Sequence, residues 1–133
     1  MTGVTKSDLI AQGYRMSVNA DDLIVTRSAR TVKEAYLLHF VTEAQITAAQ
    51  ITDTIGQCWV ALTFLHLVKN NEFATRTGGE RKDNQYGSRI DNYIHNLKSG
   101  CNLWLRKMES EFGKLSDIVD VCEIYFSTSI FKG

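Results

Sequence analysis

The apolar segment Ile55–Val68 constrains the fold more than any other part of the sequence. It contains Gln57 and His66 but no proline, and it is shorter than the roughly 20 apolar residues that span a bilayer. A helix that is apolar on nearly all sides has to be covered on several of them. The segment therefore predicts a buried central helix and no membrane association. It also raises the expectation of a homo-oligomer, such as a homodimer, in which a second subunit helps to cover it.

Length and charge narrow the class of protein. The chain has 133 residues, of which 44% are hydrophobic and 23% charged, as in an ordinary globular domain. Lys plus Arg and Asp plus Glu both number 15, and this balance argues against strong, sequence-independent binding of nucleic acid. The first residues contain no apolar stretch of signal-peptide length, so a cytoplasmic location is expected.

Two threonine-acid patterns predict where helices begin. Thr5 and Asp8 have the spacing of an N-terminal cap, and a glycine follows as a C-terminal stop. These signals predict a short helix over Lys6–Gln12. Thr31 and Glu34 have the spacing of a capping box, so a longer helix is expected to begin at Thr31.

The stretch between these two helices has the pattern of a β-hairpin. Residues 14–18 alternate apolar and polar side chains, and residues 19–22 have turn chemistry. Leu23–Arg27 is rich in β-branched and aliphatic residues, as strands are. We therefore expect two antiparallel strands joined by a four-residue turn.

Apolar spacing predicts helices in much of the remaining chain. Residues 32–70 carry apolar side chains at helical spacing, with breaks expected at Thr42, Thr47 and residues 52–56, which gives two or three helices. In Ile90–Phe112 an apolar residue recurs every three or four positions, which predicts one amphipathic helix. The residues that follow fit either a helix or a strand.

Two tryptophans and a glycine lie within these predicted helices. Trp59 and Trp104 both lie on apolar faces, so core packing is expected for each, although tryptophan is also enriched in protein interfaces. If the face of Trp104 is core, Trp104→Ala costs about 3–5 kcal/mol of unfolding free energy. Gly100 predicts a bend or a close helix crossing.

The cysteines and histidines offer the most reactive side chains. They are Cys58, Cys101, Cys122, His39, His66 and His95. An odd number of widely spaced cysteines is typical of free, packed thiols in a reducing compartment. A Cys–His pair could form in space from Cys101 and His95 or from Cys58 and His66, but no local motif supports either. No C-x-x-C or H-x-x-x-H spacing occurs. We therefore expect no metal site, no cofactor and no catalytic residue.

Residues 73–89 have the composition of a mobile surface loop with a net positive charge. Its cations are Arg76, Arg81, Lys82 and Arg89. Phe73 and Tyr86 add rings on which bases could stack, so the loop could bind nucleic acid. Two acids within the loop and the balanced charge of the chain argue against this alternative. The loop could instead be simply disordered, or could contact a protein partner.

One combination of patterns extends over residues 5–50. It comprises Leu9-Ile10-x-x-Gly13-Tyr14, Met16-x-Val18, Leu23-Ile24-Val25-x-Arg27 and a helix from Thr31 with Leu37, Leu38 and Phe40. This order resembles the TubC-type N-terminal docking domain of assembly-line peptide synthetases. Members of that family have an αββαα fold, are commonly dimeric and dock a partner's C-terminal peptide along the exposed hairpin. The chain departs from the family after residue 50, where helices are predicted in place of a synthetase domain.

The resemblance implies a contact surface on the hairpin. Its outward candidates are Arg15, Ser17, Ile24 and Arg27. The edge of a hairpin has unpaired N–H and C=O groups, so the addition of a partner strand is physically natural. The alternative is that the apolar face of the hairpin only covers the helices.

Together these patterns predict a single α+β domain over residues 1–133 that is predominantly helical. Its expected parts are a short N-terminal helix, a β-hairpin and a bundle of about four helices. Residues 5–50 form the docking-like part, and residues 51–133 form the helical part with its loop. The expected function is non-enzymatic binding of a protein partner by an adaptor, docking or inhibitory protein. The alternative is a nucleic-acid-associated regulator that uses residues 73–89.

Overall fold

The computed structural model describes residues 1–16, 21–69 and 84–113, without the side chains of residues 84–93. Over these ranges the chain forms five α-helices and one short 3₁₀ helix. They are α1 (Lys6–Ala11), α2 (Asp22–Ala35), the 3₁₀ helix Leu37–His39, α3 (Glu43–Ala48), α4 (Thr54–Lys69) and α5 (Asn84–Phe112). No strand occurs in the described ranges, so the predicted α+β class is wrong and the fold described here is helical.

Helix α2 occupies the place of the predicted second strand. Asp21, which was expected in the turn of the hairpin, is instead the N-cap of α2. The burial pattern gives the reason for the helix. Val25, Ala29 and Val32 are all buried, and their spacing of four and three residues places them on one face of a helix. Burial of that face outweighs the strand propensity of Leu23–Arg27.

The two predicted capping patterns have different outcomes. The prediction at Thr5 is confirmed: its Oγ1 accepts from the N–H of Asp8, and the Asp8 carboxylate accepts from the N–H of Thr5. The prediction at Thr31 is wrong, because Thr31 lies inside α2 and its hydroxyl donates to the carbonyl of Arg27 at 3.0 Å. A cap requires the preceding residues to leave the helix, whereas here they continue its buried face.

Helix α4 is the centre of the fold, as predicted. Every residue of Ile55–Val68 is buried except Gln57 and His66, which are half-buried. Helices α1, α2 and α5 all pack against it. Trp59 is fully buried, and its indole N–H donates to the carbonyl of Ala29 in α2 at 2.8 Å. Because the covering helices belong to the same chain, the apolar character of α4 no longer argues for a second subunit.

The turn before α4 contains a close backbone crossing. A Cβ atom on Gly56 would lie 2.6 Å from Cα of Ile51 and 2.8 Å from its carbonyl carbon. The turn is held in place from two sides. The N–H of Gln50 donates to the carboxylate of Asp53 at 2.9 Å, and the side-chain amide of Gln57 donates to the carbonyl of Ile51 at 2.8 Å. Of the break predicted over residues 52–56, only Thr52 and Asp53 lie between the helices, because α4 already begins at Thr54, and the break predicted at Thr47 is wrong because α3 includes that residue. Only glycine fits at position 56 without displacing the backbone.

Helix α3 is short and is fixed at both ends. Thr42 and Gln45 form a capping box at its start, with the N–H of Thr42 donating to the Gln45 side chain at 2.8 Å. The ammonium of Met1 donates to three carbonyl oxygens at its end, at 2.7 to 3.1 Å. Lys33 forms an ion pair with Glu43 at 3.1 Å and so joins α2 to α3.

Helix α5 confirms the amphipathic helix that was predicted over Ile90–Phe112. It begins earlier, at Asn84, so the last part of the predicted loop is helical, while residues 73–83 lie outside the described residues. Trp104 is only half-buried, and the ammonium of Lys107 lies 4.8 Å from its ring centroid. The loss of about 3–5 kcal/mol of unfolding free energy expected for Trp104→Ala assumes full burial and is therefore too large. No atom of the described residues lies within 4 Å of a Cβ added at Gly100, so none of the described helices crosses α5 closely there.

Candidate protein-binding surface

The outward side of α2 carries a row of four exposed side chains. We call this row the outer stripe, and its members are Leu23, Arg27, Arg30 and Glu34. They are separated by four, three and four residues, a spacing that places all of them on one side of a helix. The buried residues of α2 lie on the opposite side and contact α4. The outer stripe therefore faces away from the core.

Leu23 is the apolar member of the outer stripe. It exposes 67% of its surface, more than Ile10 or Leu103, the other exposed large hydrophobic residues among those described. Its place in the first turn of α2 is fixed, because its N–H donates to the N-capping carboxylate of Asp21 at 2.9 Å. Apolar surface left in water contributes about 25 cal/mol per Å² of favourable free energy when a partner covers it.

Arg27 and Arg30 form the basic centre of the outer stripe. Two ion pairs of the described residues, Lys6–Asp22 and Lys33–Glu43, use neither of them. Both side chains are exposed, and nothing among the described residues engages either guanidinium group. A free guanidinium group can hold a carboxylate or a phosphate through two parallel hydrogen bonds.

Acidic residues lie at both ends of this basic centre. Asp21 and Asp22 are exposed at the start of α2, where Asp22 lies 3.8 Å from the ammonium of Lys6. Glu34 is exposed near the end of the helix and belongs to the outer stripe itself. The charges along the exposed side of α2 therefore run from negative to positive and back to negative.

The predicted partner-binding residues are only partly brought together. Arg27 lies on the outer stripe, and Ile24 lies beside it on α2, half-buried. Arg15 is exposed in the segment after α1, and Ser17 lies outside the described residues. Because α2 replaces the strand on which Ile24 and Arg27 were expected, its backbone N–H and C=O groups are used within the helix. Addition of a partner strand at these two residues is therefore ruled out by the fold.

The predicted nucleic-acid loop can be located only in part. Arg76, Arg81 and Lys82 lie outside the described residues. Arg89 lies in α5, in the part whose backbone alone is described. Binding of nucleic acid by residues 73–89 stays a prediction.

The buried cysteines are poor nucleophiles in this fold. Cys58 and Cys101 are free and buried, as expected, and Cys122 lies outside the described residues. Burial raises the pKa of the Cys101 thiol to about 12. Burial also raises the pKa of Cys58 well above its ordinary value, and the nearby Cys101 adds to the shift. Since the thiolate is the reactive form, both thiols stay protonated and unreactive near neutral pH.

The histidines that were considered as bases for these thiols have other surroundings. His66 Nδ1 lies 3.0 Å from the hydroxyl of Ser28, a contact that joins α4 to α2. The Cys101 thiol donates to the carbonyl of Ala61 at 3.4 Å. His95 Nδ1 is buried and has no hydrogen-bond partner among the residues that the structure describes. Within the part of the chain that the structure describes, no group of three or more His, Cys, Asp or Glu residues could hold a metal ion.

A shallow groove of about 570 Å³ lies between α3, the start of α4 and the end of α5. Its acidic side chains already have structural partners. Asp53 accepts from the N–H of Gln50, and Glu111 accepts from the hydroxyl of Thr54 at 2.5 Å. These contacts connect the chain segments around the groove, so its carboxylates are used to hold the fold.

Leu23 and Arg30 were missed as site residues by sequence reasoning. The sequence pattern predicts a strand at Leu23 and a helix that begins only after Arg30. The signal that could have found them is the recurrence of Leu23, Arg27, Arg30 and Glu34 at helical spacing. That signal becomes visible only when residues 22–35 are considered as one helix.

The comparison with protein-family models gives no match, and neither the curated proteins nor the solved structures contain a match. The likeness of residues 5–50 to a docking domain thus stays a prediction. No helix in the described ranges is long and apolar enough to cross a membrane.

Proposed function

We propose that this chain is a non-enzymatic protein-binding protein, of the adaptor, docking or inhibitory kind, and that the outer stripe of α2 is its contact surface. One observation carries the proposal. Leu23, the most exposed large apolar side chain described, lies one turn from Arg27 and two turns from Arg30, and both arginines are exposed and have no partner among the described residues. Interfaces between proteins combine apolar anchors with arginine in this way.

The reactive side chains support a binding role over a catalytic one. The two described cysteines are buried and held in the thiol form. The carboxylates of Asp53 and Glu111 accept structural hydrogen bonds. Catalysis by these groups would require one of them to be free and accessible.

Two exposed leucines provide a matched test. Leu23→Gln removes the apolar member of the outer stripe, whereas Leu103→Gln changes a leucine of similar exposure, 60%, on α5. The tagged parent and both variants are used to capture partners from a lysate of the source cells, with and without nuclease treatment, at low and high salt. We expect one stoichiometric protein with the parent and with Leu103→Gln, and its loss with Leu23→Gln.

Two outcomes of this experiment contradict the proposal. One is capture of the same protein in equal amount by Leu23→Gln, which would place the contact elsewhere on the chain. The other is recovery of nucleic acid alone, at low salt and without nuclease, which would favour residues 73–89. Circular dichroism of both variants serves as the folding control, because exposed leucines contribute little to stability.

A further inference from the structure

We infer that the outer stripe recognises a helical segment of a protein partner that carries two carboxylates about one turn apart and one apolar side chain a turn beyond them. This inference rests on the proposed function and specifies the chemistry of the partner. It follows from the positions and charges of the exposed side chains of α2.

The spacing of the two arginines sets the spacing of the acids. Arg27 and Arg30 are three residues apart, which corresponds to about 4.5 Å along the helix axis. Two carboxylates on a partner helix, three or four residues apart, lie at a matching distance. Each could be held by one guanidinium group through two parallel hydrogen bonds. Both guanidinium groups are free to do so within the described structure.

The acids at the two ends of α2 limit the length of an anionic partner. The helix is about 21 Å long at 1.5 Å per residue. An extended polyanion that follows it would reach the carboxylate of Glu34 at one end or those of Asp21 and Asp22 at the other. Like charges at those points disfavour a nucleic-acid backbone, which carries a charge at every nucleotide. A compact pair of carboxylates contacts only the basic centre and does not reach the acids at either end of α2.

Leu23 determines where the apolar side chain of the partner belongs. It lies four residues, about one turn, before Arg27 on the same side of α2. A partner helix that covers it therefore needs an apolar residue four positions from its first acid. The acids supply orientation, and the apolar contact supplies free energy that salt does not screen. The expected pattern is apolar-x-x-x-acid-x-x-acid, or its reverse for the opposite chain direction.

The inference is tested with a synthetic helical peptide that carries Leu, Glu and Glu at these positions in an Ala/Gln background. The isotope-labelled full chain is titrated with this peptide, with its Glu→Gln analogue and with a DNA oligonucleotide, and amide shifts are recorded by NMR. We expect shifts confined to α2 with the Glu peptide, and binding about tenfold weaker with the Gln analogue at low salt. The Arg27→Glu/Arg30→Glu variant should prefer a peptide in which both acids are lysine.

Several results would overturn the inference. These are equal binding of the Glu and Gln peptides, shifts outside α2, stronger shifts in α2 with DNA than with peptide, and failure of the charge reversal. A parallel capture experiment separates this failure from failure of the proposed function. If the natural partner is lost with Leu23→Gln but kept by Arg27→Gln/Arg30→Gln, the surface binds protein but does not select acids. Lys98→Gln/Lys107→Gln on α5 removes the same net charge and is the control.

Discussion

Gly56→Ala is the substitution for which the structure predicts the largest effect from the smallest change. An added Cβ would approach three backbone atoms of the preceding turn, namely the carbonyl oxygen of Gln50 and Cα and the carbonyl carbon of Ile51. Backbone atoms cannot move aside as a flexible side chain can. The turn is also held by the hydrogen bonds of Asp53 and Gln57, so relief of the clash would break contacts on two sides.

The magnitude follows from two opposing terms. Alanine is favoured over glycine in a helix interior by about 1 kcal/mol. Insertion of an extra methyl group into a packed site costs about 1–3 kcal/mol, and more where backbone has to shift. With three backbone clashes we expect the second term to exceed its usual range and reach about 4 kcal/mol, for a net loss of about 3 kcal/mol of unfolding free energy. For a chain of this size the loss corresponds to a melting temperature lower by about 10 °C.

Gly100→Ala is the matched control, because Gly100 is also helical and an added Cβ there meets no atom of the described part of the chain within 4 Å. Only the propensity term applies, so this variant should gain about 1 kcal/mol. Thermal unfolding followed by far-UV circular dichroism measures both variants against the parent. A Gly56→Ala variant that melts at or above the parent temperature would show that the close crossing does not exist as described.

Two further predictions concern the ends of helices and the buried thiols. Thr42→Ala should lower the free energy of unfolding by about 1 kcal/mol because it removes the cap of α3, whereas Thr31→Ala should be neutral or slightly stabilising inside α2. Urea unfolding measures both variants. A larger loss with Thr31→Ala than with Thr42→Ala would contradict the helix start at Asp22. Because burial raises the pKa of Cys101 from 9.0 to about 12, its contribution to stability is complete below about pH 9 and is lost as pH rises towards 12. The unfolding free energy of the parent should therefore fall over this pH range, and that of Cys101→Ala should fall less steeply. Equal slopes of unfolding free energy against pH for the two proteins would mean that the thiol is not buried.

Much of the fold could be predicted from sequence wherever local and long-range signals agree. Helix α4 could be predicted because Ile55–Val68 is apolar on nearly all sides, so that only a position in the core covers it. Helix α1 was identified because Thr5 and Asp8 supply both halves of a cap. Helix α5 was identified from a long, regular amphipathic pattern, although its start could not be placed because residues 84–89 are mostly polar.

Helix α2 was missed because its local signals point to a strand. Leu23–Arg27 has strand propensity, and the Thr31–Glu34 pattern suggests a helix start in the wrong place. What decides the structure is the burial of Val25, Ala29 and Val32 against α4, and this depends on residues thirty positions further along the chain. The outer stripe could not be predicted for the same reason, since its members share a face only within that helix.

The central position of α4 also bears on how the protein is made. Helix α2 precedes α4 in the chain, whereas α5 follows α4. Helix α5 packs against α4 and is one of the helices that shield it from water. A ribosome adding about 5–20 residues per second needs several seconds to reach Phe112 after completing Lys69. During that interval the nascent chain carries an apolar helix that it cannot yet cover, which is the kind of segment that chaperones bind. Truncation before α5 should accordingly give a product that aggregates in the cell.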